Sequence, residues 1–420
     1  MSTSALFDLG TSIPTPPTAA DRARWRQADR LARPRRLAAL RERCAREGVD
    51  AYFGLGAENA RYLTGIELGD GEEKVAGDSG RFFVSGDEVV VLADSRYREQ
   101  AAEQCIDARI EDAYVGLARR WPELLGALRP IRDGAAGAPT QSVRRLAVEA
   151  RSISHATWTE LAAAEPSVEL VPADGWVEEL RATKAPAEIE RIAAACAVAD
   201  AALQRLLGEI RPGLTERELA LRLEWEMRTH GADALAFDVA CLSGPRAALP
   251  HGDPGERTVR TGEVLLFDFG AQVAGYRSDM TRTLFVGEPT ARDLQLYNLV
   301  AAAQEDAFAA ITGAAATGQR PTGFALDAIA RRVIVKGGHG DQFGHSLGHG
   351  IGLATHELPQ LTWRNAPTPI PSPTVFSVEP GVYLPGETGV RIEDLVVYDE
   401  EARRMARLTR FPREVTVVGA

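Results

Sequence analysis

The stretch from Gly262 to Thr283 constrains the fold of this chain more than any other. Asp268 follows the apolar run Val264 to Phe267, and Asp279 precedes a second β-type run, Thr281 to Val286. Glycines lie between the two runs, so the pattern predicts two strands joined as a hairpin that brings both carboxylates to one place.

These two aspartates need partners if they are buried. Aspartate is depleted in strands, and burying a carboxylate without a compensating charge is unfavourable. A bound divalent cation is one such partner. An alternative fits this stretch equally well: one aspartate belongs to a turn and the other to an ion pair.

Four of the seven histidines lie in two short stretches. His251 is in Leu-Pro-His-Gly, while His345, His349 and His356 fall within twelve positions among several glycines. Glycines let the backbone pass close to a ligand, and neutral imidazole binds metals and carries protons. This clustering indicates a functional site.

Two glutamates, Glu379 and Glu393, also lie in β-type apolar surroundings. With Asp268 and Asp279 they make four carboxylates, which one divalent ion cannot balance and two can. Oxygen-rich ligation with an imidazole suits Mn²⁺, Co²⁺ or Zn²⁺ better than a metal that prefers thiolates.

Five motifs surround these residues: Asp-Phe-Gly-Ala, Gly-Tyr-Arg-Ser-Asp-Met-Thr-Arg-Thr, Gly-His-Gly-Ile-Gly-Leu, Val-Glu-Pro-Gly-Val-Tyr and Val-Arg-Ile-Glu-Asp. In this order they resemble the pita-bread metallopeptidases, which include aminopeptidase P, prolidase and methionine aminopeptidase. The resemblance covers about residues 184–418.

The preceding part of the chain, residues 35–174, resembles the amino-terminal domain of the aminopeptidase P and prolidase branch. The runs Glu58 to Gly65 and Ala93 to Ala101 carry this similarity, and the second is similar to aminopeptidase P in particular. Methionine aminopeptidase lacks such a domain. The resemblance therefore implies an α+β protein with an arm (1–30), an N-terminal α/β domain of creatinase/prolidase type (31–176) and a pita-bread, creatinase-like catalytic domain (177–420).

The resemblance also implies a ligand set for two divalent metal ions. Asp279 and Glu393 would bridge the two metals, Asp268 would hold one of them, and His349 with Glu379 would hold the other. Mn²⁺ is the expected metal, with Co²⁺, Zn²⁺ or Fe²⁺ as alternatives.

Catalytic roles follow from the same resemblance. Water activated between the metals would attack the scissile carbonyl. Glu379 would shuttle the proton, His356 would stabilise the oxyanion, and His251 and His345 would position the substrate. Arg391 matches a supporting arginine of the family.

The activity implied is that of an Xaa-Pro aminopeptidase, which removes the N-terminal residue from a peptide substrate with proline in second position. Prolidase, restricted to dipeptides, is one alternative, and a pita-bread enzyme acting on a non-peptide small molecule is another. Pro373 and Thr374 stand where the family commonly has a Gly-Met pair, which leaves the shape of the pocket open. The proline-rich run 366–373 is either a connector or a rim over the site.

Two other classes of protein offer alternative explanations of these motifs. The run Gly344 to Gly348 fits the Gly-x-Ser-x-Gly elbow of serine hydrolases with Ser346 as nucleophile, but no acidic residue lies between Ser346 and either of the two histidines that follow it. Non-catalytic or creatinase-like relatives have lost metal ligands, whereas all five ligand positions here hold suitable residue types.

Composition and charge limit the classes of binding partner and the cellular compartment that we expect for this chain. A net charge of -11 disfavours nucleic acid, and no stretch approaches the roughly 20 apolar residues of a membrane span. The N-terminus has no signal-peptide pattern, and the four cysteines are far apart. We therefore expect a cytoplasmic enzyme, and the resemblance implies a homodimer or homotetramer.

Overall fold

The computed structural model describes residues 15–68, 77–131 and 142–419. These residues form two compact units, one made of residues 26–181 and the other of residues 182–419 with the described residues before Arg26. The predicted domain limits at residues 30 and 176 stay predictions, and residues 1–14 of the predicted arm lie outside the described residues. None of the described helices is long and apolar enough to cross a membrane.

The first unit contains one six-stranded sheet and its helices. The helices are α1 (Ala19–Arg46), whose residues before Arg26 belong to the second unit, α2 (Ala57–Thr64), α3 (Arg98–Gln104), α4 (Leu117–Ala127), α5 (His155–Ala164) and α6 (Trp176–Ala182). The strands are β1 (Ala51–Gly54), β2 (Phe82–Val84), β3 (Val89–Ala93), β4 (Arg109–Asp112), β5 (Arg145–Glu149) and β6 (Glu169–Ala173), in the order β4-β3-β2-β1-β5-β6.

Apolar spacing predicts helices over residues 35–47, 96–105 and 158–164 and strands over residues 51–53, 81–84, 89–93 and 146–148, and the structure has an element at each of these places. Helices α2, α4 and α6 were not predicted. Helix α1 begins at Ala19 and not at residue 35, and it continues through Pro34. Strands β4 and β6 were missed because β4 is a half-buried edge strand of mostly charged residues and β6 contains a proline.

The second unit has four long helices and fourteen strands among its described residues. The helices are α7 (Pro186–Leu206), α8 (Glu216–Thr229), α9 (Ala291–Thr317) and α10 (Gly323–Lys336). The strands are β7 (Ala234–Leu235), β8 (Ala240–Ser243), β9 (Glu263–Phe269), β10 (Ala271–Val273), β11 (Tyr276–Arg277), β12 (Met280–Val286), β13 (Gly348–Gly350), β14 (Glu357–Leu361), β15 (Thr374–Val378), β16 (Gly381–Leu384), β17 (Thr388–Arg391), β18 (Asp394–Asp399), β19 (Arg404–Arg407) and β20 (Val417–Val418).

Apolar spacing and end signals predict helices over residues 184–207, 215–229, 291–311 and 323–334, and all four are present, although α9 continues beyond its predicted end to Thr317. Thr215 followed three residues later by Glu218 predicts a capping box at the start of α8. It is confirmed, since the Thr215 side chain accepts from the backbone of Glu218 and the Glu218 side chain accepts from the backbone of Thr215. The predicted hairpin is present as the antiparallel pair β9 and β12. The turn between them is larger than expected because it contains a further small hairpin, β10 and β11, which turns at Ala274 and Gly275 with positive φ at both.

Two sheets carry most of the strands of this unit. One has the order β20-β12-β9-β8 and the other β14-β13-β15-β18-β19. Residues alternate along β9: Leu265 and Phe267 join a core with α7 and α8, whereas Val264 and Leu266 join a second core with α9 and α10. Burial on both faces explains the continuous apolar run. The alternation of side chains along the strand places Asp268 on the same side as Val264 and Leu266.

The proline-rich segment lies along the start of α10, where Ile370 N donates to Pro321 O at 2.9 Å. Pro373 and Thr374, the two residues that depart from the family pattern, form hydrogen bonds with residues just before α7. Pro373 O accepts from Lys184 N at 2.8 Å, and Thr374 Oγ1 donates to Ala182 O at 2.8 Å. These contacts fit a connector, and the role of the segment as a rim stays a prediction.

Trp25 provides a test of how firmly the first turns of α1 belong to the second unit. Its side chain is 1% exposed within the core of α7 and α8, and its Nε1 donates to Glu190 Oε2 at 2.6 Å. We expect Trp25→Ala to lower the free energy of unfolding by about 3–5 kcal/mol in urea denaturation. The control is Trp225→Ala, which removes a side chain that is 67% exposed and should change stability by less than about 0.5 kcal/mol. Equal losses would contradict this packing.

Candidate metal centre

Both sheets of the second unit contribute to one cluster of acidic residues and histidine. Each predicted ligand is in a strand or directly beside one: Asp268 in β9, Asp279 before β12, His349 in β13, Glu379 after β15 and Glu393 before β18. Strand ends leave a side chain pointing out of the packed core while the strand itself fixes its backbone. The alternation of β12 places Asp279 on the same face as Thr281 and Thr283, toward the second sheet.

Distances confirm that these side chains converge. One ligand atom each from Asp279, His349 and Glu393 lie within 4.8 Å of one another. His349 Nε2 is 3.6 Å from Asp279 Oδ2 and 3.3 Å from Glu379 Oε1. Asp268 is close enough to act on this group by its charge. The pKa of Asp279 is raised most by burial, next by the charge of Glu393 and then by the charge of Asp268.

In two of the carboxylates, one oxygen accepts a hydrogen bond and the other has no hydrogen-bond partner among the described residues. Asp268 Oδ2 accepts from Arg391 Nη2 at 2.6 Å, and Glu393 Oε2 accepts from Thr281 Oγ1 at 2.7 Å. Within the described part of the chain, their other oxygens, Asp268 Oδ1 and Glu393 Oε1, are buried and have no hydrogen-bond partner. Buried oxygens of this kind are unfavourable unless a ligand satisfies them, as a cation would.

His349 is prepared for metal ligation by its neighbours. Its Nδ1 lies 3.0 Å from Gly350 O, which can only accept, so Nδ1 carries the proton and the lone pair is on Nε2. Burial lowers the pKa of His349, which keeps the ring neutral. Ser377 Oγ accepts from His349 N and donates to Glu379 Oε1 at 3.0 Å, so one hydroxyl fixes both residues.

Protonation in the metal-free chain reflects the crowding of the carboxylates. Burial, followed by repulsion from Glu393, raises the pKa of Asp279 well above its usual range. Burial, followed by repulsion from Glu379, does the same to Glu393, and burial raises the pKa of Glu379 to about 7. The donor set of four carboxylates and one neutral imidazole therefore fits two divalent cations, which would allow all four to ionise.

Arg391 is the buried cation that organises this cluster from within the protein. Its Nη2 donates to Asp268, its Nε donates to Thr281 Oγ1 at 2.8 Å, and its Nη1 donates to Tyr383 Oη at 2.7 Å. Because Thr281 donates onward to Glu393, one guanidinium orients two of the predicted ligands.

Tyr383 links Arg391 to the predicted substrate residue His345. His345 Nδ1 lies 2.8 Å from Ser346 O and therefore carries the proton, so Tyr383 Oη donates to Nε2 at 2.8 Å. Burial, followed by the charge of Arg391, lowers the pKa of His345 to about 3. Both ring nitrogens are thus engaged within the protein, and His345 supports Arg391 through Tyr383. Its predicted contact with substrate stays a prediction.

The other two predicted histidines are exposed beside the cluster. The ring of His356 lies 4.3 Å from that of His349, and its pKa is lowered to about 4 by burial and then by the charges of His349 and His251. Burial raises the pKa of Glu379, and the charge of His251 is one of the smaller effects that oppose this rise, so His251 lies near that carboxyl group. His251 and His356 are therefore neighbours of the cluster that solvent, and hence a substrate, can reach.

Thr281, Ser377 and Tyr383 were not singled out from the sequence. A signal was present for all three, because each is a polar residue at a buried position of a β-type run that leads to or from a predicted ligand. Their roles depend on contacts between strands distant in the chain, which spacing alone does not give.

Comparisons with known proteins agree with this architecture. The model of metallopeptidase family M24 matches residues 190–400, and that of the creatinase/prolidase N-terminal domain matches residues 36–183.

Relatives resemble the chain over nearly its whole length. It is 35% identical to an uncharacterized peptidase, YqhT, of Bacillus subtilis, covering 91% of this chain and all of that one. A structure of the Xaa-Pro dipeptidase from Bacillus anthracis is similar with a TM-score of 0.79 at 32% identity, covering 91% of this chain and 99% of that one. The X-Pro aminopeptidase from Thermotoga maritima is similar with a TM-score of 0.75 at 32% identity, covering 90% and 99%.

The raised carboxyl pKa values predict how stability depends on pH. Asp279, Glu379 and Glu393 bind protons in the folded metal-free chain at pH values where they are ionised in the unfolded chain. The free energy of unfolding therefore falls as pH rises through the folded-state pKa, about 7 for Glu379, by up to about 1.4 kcal/mol per pH unit for each group. The lowered pKa values of His345 and His356 act in the opposite direction below about pH 6.5, so the test belongs above it.

We expect metal-free protein to lose stability between pH 6.5 and 7.5, around the pKa of about 7 of Glu379, in urea denaturation with a chelator. Adding Mn²⁺ in place of the chelator should remove that loss. Asp279→Asn should flatten the profile of the metal-free protein, because it deletes one of the protonated carboxyl groups. Identical pH profiles with and without Mn²⁺ would show that the cluster does not bind the metal.

Proposed function

Since the chain belongs to metallopeptidase family M24, we propose that it is an aminopeptidase that removes the N-terminal residue from peptides with proline in second position. Its fold is the predicted α+β arrangement, a pita-bread catalytic domain after a creatinase/prolidase-type domain. The observation that carries the proposal is the convergence of four carboxylates and His349 around free, buried oxygens.

The ligand roles are part of the proposal. Asp279 and Glu393 would be shared by two divalent ions, Asp268 would complete one site, and His349 with Glu379 would complete the other. We propose Mn²⁺ as the metal, with Co²⁺, Zn²⁺ and Fe²⁺ as alternatives. When bound, such ions supply an acidified water molecule and polarise the scissile carbonyl.

Glu379 is proposed to move the proton. Its Oε1 is held by Ser377, and its buried carboxyl has a pKa of about 7 before metals bind. The nitrogen of an Xaa-Pro bond carries no hydrogen, so this amine leaves only after a proton has been delivered to it. A carboxyl group that accepts the proton of the attacking water and then donates it to that nitrogen meets the requirement.

His356 and His251 are proposed to contact the substrate. The lowered pKa of His356 makes its ring neutral at pH 7, so it acts on the oxyanion as an N–H donor and not as a cation. Arg391 keeps Asp268 and Thr281 in place and is proposed to support the centre without touching the substrate.

A dipeptidase restricted to Xaa-Pro is the second candidate. The similarity to the Xaa-Pro dipeptidase from Bacillus anthracis favours it as directly as the similarity to the Thermotoga maritima enzyme favours the aminopeptidase. The two differ in whether a third residue is accepted, which the assay below resolves.

A serine hydrolase is disfavoured by the surroundings of Ser346. The nucleophile elbow needs a strand before the serine and a helix after it, whereas strand β13 follows Ser346 here.

We further propose that the enzyme works in the cytoplasm as a homodimer or homotetramer. The four cysteines are free and buried, which suits a reducing compartment.

The decisive experiment compares three substrates. Metal-stripped protein is assayed with and without Mn²⁺ on Xaa-Pro, Xaa-Pro-Yaa and Xaa-Ala-Yaa peptides by chromatography. We expect Mn²⁺-dependent release of Xaa from Xaa-Pro-Yaa and none from Xaa-Ala-Yaa. Cleavage of the dipeptide alone would identify the dipeptidase. If metal-loaded protein cleaved no peptide, the proposed substrate class would be wrong.

Variants of two nearby residues separate the proposed mechanism from its rival. His356→Ala should lower kcat by about 100-fold at unchanged metal content, because it removes an oxyanion donor that is not a ligand. Ser346→Ala should leave kcat unchanged. Loss of turnover in Ser346→Ala with normal metal content would favour the serine mechanism.

A further inference from the structure

Helix α9 carries one polar side chain, Gln304, into the apolar core beside the proposed metal ligands. Its residue is fully buried, and its neighbours on the helix, Val300, Ala303 and Ala307, belong to the core with the second sheet. An amide in such a place is unfavourable unless its hydrogen bonds are made. Its partners therefore indicate why a polar residue stands there.

The Gln304 amide nitrogen contacts the backbone next to two proposed ligands. Nε2 is 3.0 Å from Val378 O and 3.1 Å from Ile392 O. Val378 directly precedes Glu379, and Ile392 directly precedes Glu393. A single NH₂ group thus joins the end of β15 to the two-residue segment between β17 and β18.

The orientation of this amide is fixed by what surrounds it. Gln304 Oε1 accepts from Arg413 Nη1 at 3.1 Å, and arginine can only donate. The groups around Nε2 are two carbonyls and the carboxylate of Asp394, Oδ2 at 3.1 Å, which only accept when ionised. Exchanging the nitrogen and oxygen would place acceptor against acceptor and donor against donor, so one orientation is allowed.

Asp394 extends the contact to the other sheet. Its Oδ1 accepts from Arg282 Nη2 at 2.7 Å and from Thr409 Oγ1 at 2.6 Å. Arg282, in β12, also donates through Nη1 to Glu393 O at 2.6 Å, and it lies three residues after Asp279. The buried network of Gln304, Asp394 and Arg282 therefore ties together the segments that carry three of the five proposed ligands.

We propose that Gln304 is a positioning residue for the metal centre, which sets the separation and direction of Glu379 and Glu393 by holding the carbonyls of Val378 and Ile392. The inference rests on the ligand assignment of the proposed function and not on its substrate. An apolar side chain at 304 removes the amide donor from two buried carbonyls. They then turn toward other donors, and each turns the glutamate that follows it.

The test measures metal binding by the metal-stripped protein. Mn²⁺ is titrated calorimetrically into wild type, into Gln304→Met, which has a similar length and no donor, and into the milder Gln304→Asn. We expect the dissociation constant to rise about 10- to 100-fold in Gln304→Met, as for other residues that orient ligands from outside the metal's own shell. Gln304→Asn, which keeps the amide on a shorter side chain, should fall between this value and wild type.

Tyr398→Phe is the matched control. Tyr398 is fully buried in β18, and its hydroxyl donates to Gln319 O at 2.8 Å just beyond the end of α9. Tyr398→Phe removes one part-buried hydrogen bond to a carbonyl, so it should lower stability while the dissociation constant for Mn²⁺ stays at the wild-type value.

The outcomes are distinct. Folded Gln304→Met with lower thermal stability and wild-type Mn²⁺ affinity would overturn the inference and make Gln304 a packing residue. If Gln304→Met does not fold, wild-type affinity in Gln304→Asn overturns it equally. Wild-type protein that binds no Mn²⁺ would overturn the ligand assignment and this inference with it. If Gln304→Met binds Mn²⁺ more weakly than wild type, but wild type has no peptidase activity, the inference stands and the proposed substrate is wrong.

Discussion

Four carboxylates held away from water in one place are the constraint on which the second unit depends. Repulsion and desolvation act against ionisation there, as the raised pKa values of Asp279, Glu379 and Glu393 show. One buried guanidinium, Arg391, offsets part of this charge. Two divalent ions would offset the rest, so the same arrangement that is unfavourable in the metal-free chain is the one that favours metal binding.

The proposed metal ligands are positioned by the ends and the inner faces of strands. Both faces of β9 and β12 are covered, so their apolar residues divide between two cores, and Asp268 and Asp279 fall where the strands leave that packing. Arg391 then contacts the first sheet through Asp268 and Thr281 while its own strand precedes Glu393. Ligands from two sheets are thereby held by groups that do not need the metal to be in place.

The sequence predicted the elements that local pattern controls. The four long helices of the second unit, the β9 and β12 pair and the capping box at Thr215 follow from periodicity and end signals over short spans. The ligand cluster was predicted by resemblance, and residue types in apolar surroundings supported it. The sequence did not predict that α1 starts at Ala19, since the Trp25 contact that anchors it lies 165 residues away at Glu190. Nor did it predict that both nitrogens of His345 are engaged, because Tyr383 and Ser346 reach them only in the folded chain.

The distribution of hydrogen bonds around the centre separates rigid from accessible groups. Asp268, His349, Glu379 and Glu393 each have an atom fixed by Arg391, Gly350, Ser377 or Thr281, and each keeps another atom for a ligand. His251 and His356 are instead exposed. A metal needs ligands that do not rearrange, whereas a substrate must enter and leave past its contacts. The division supports the proposed roles, in which the fixed residues hold the metals and the exposed histidines contact the peptide. His345, with both ring nitrogens engaged, resembles the fixed group.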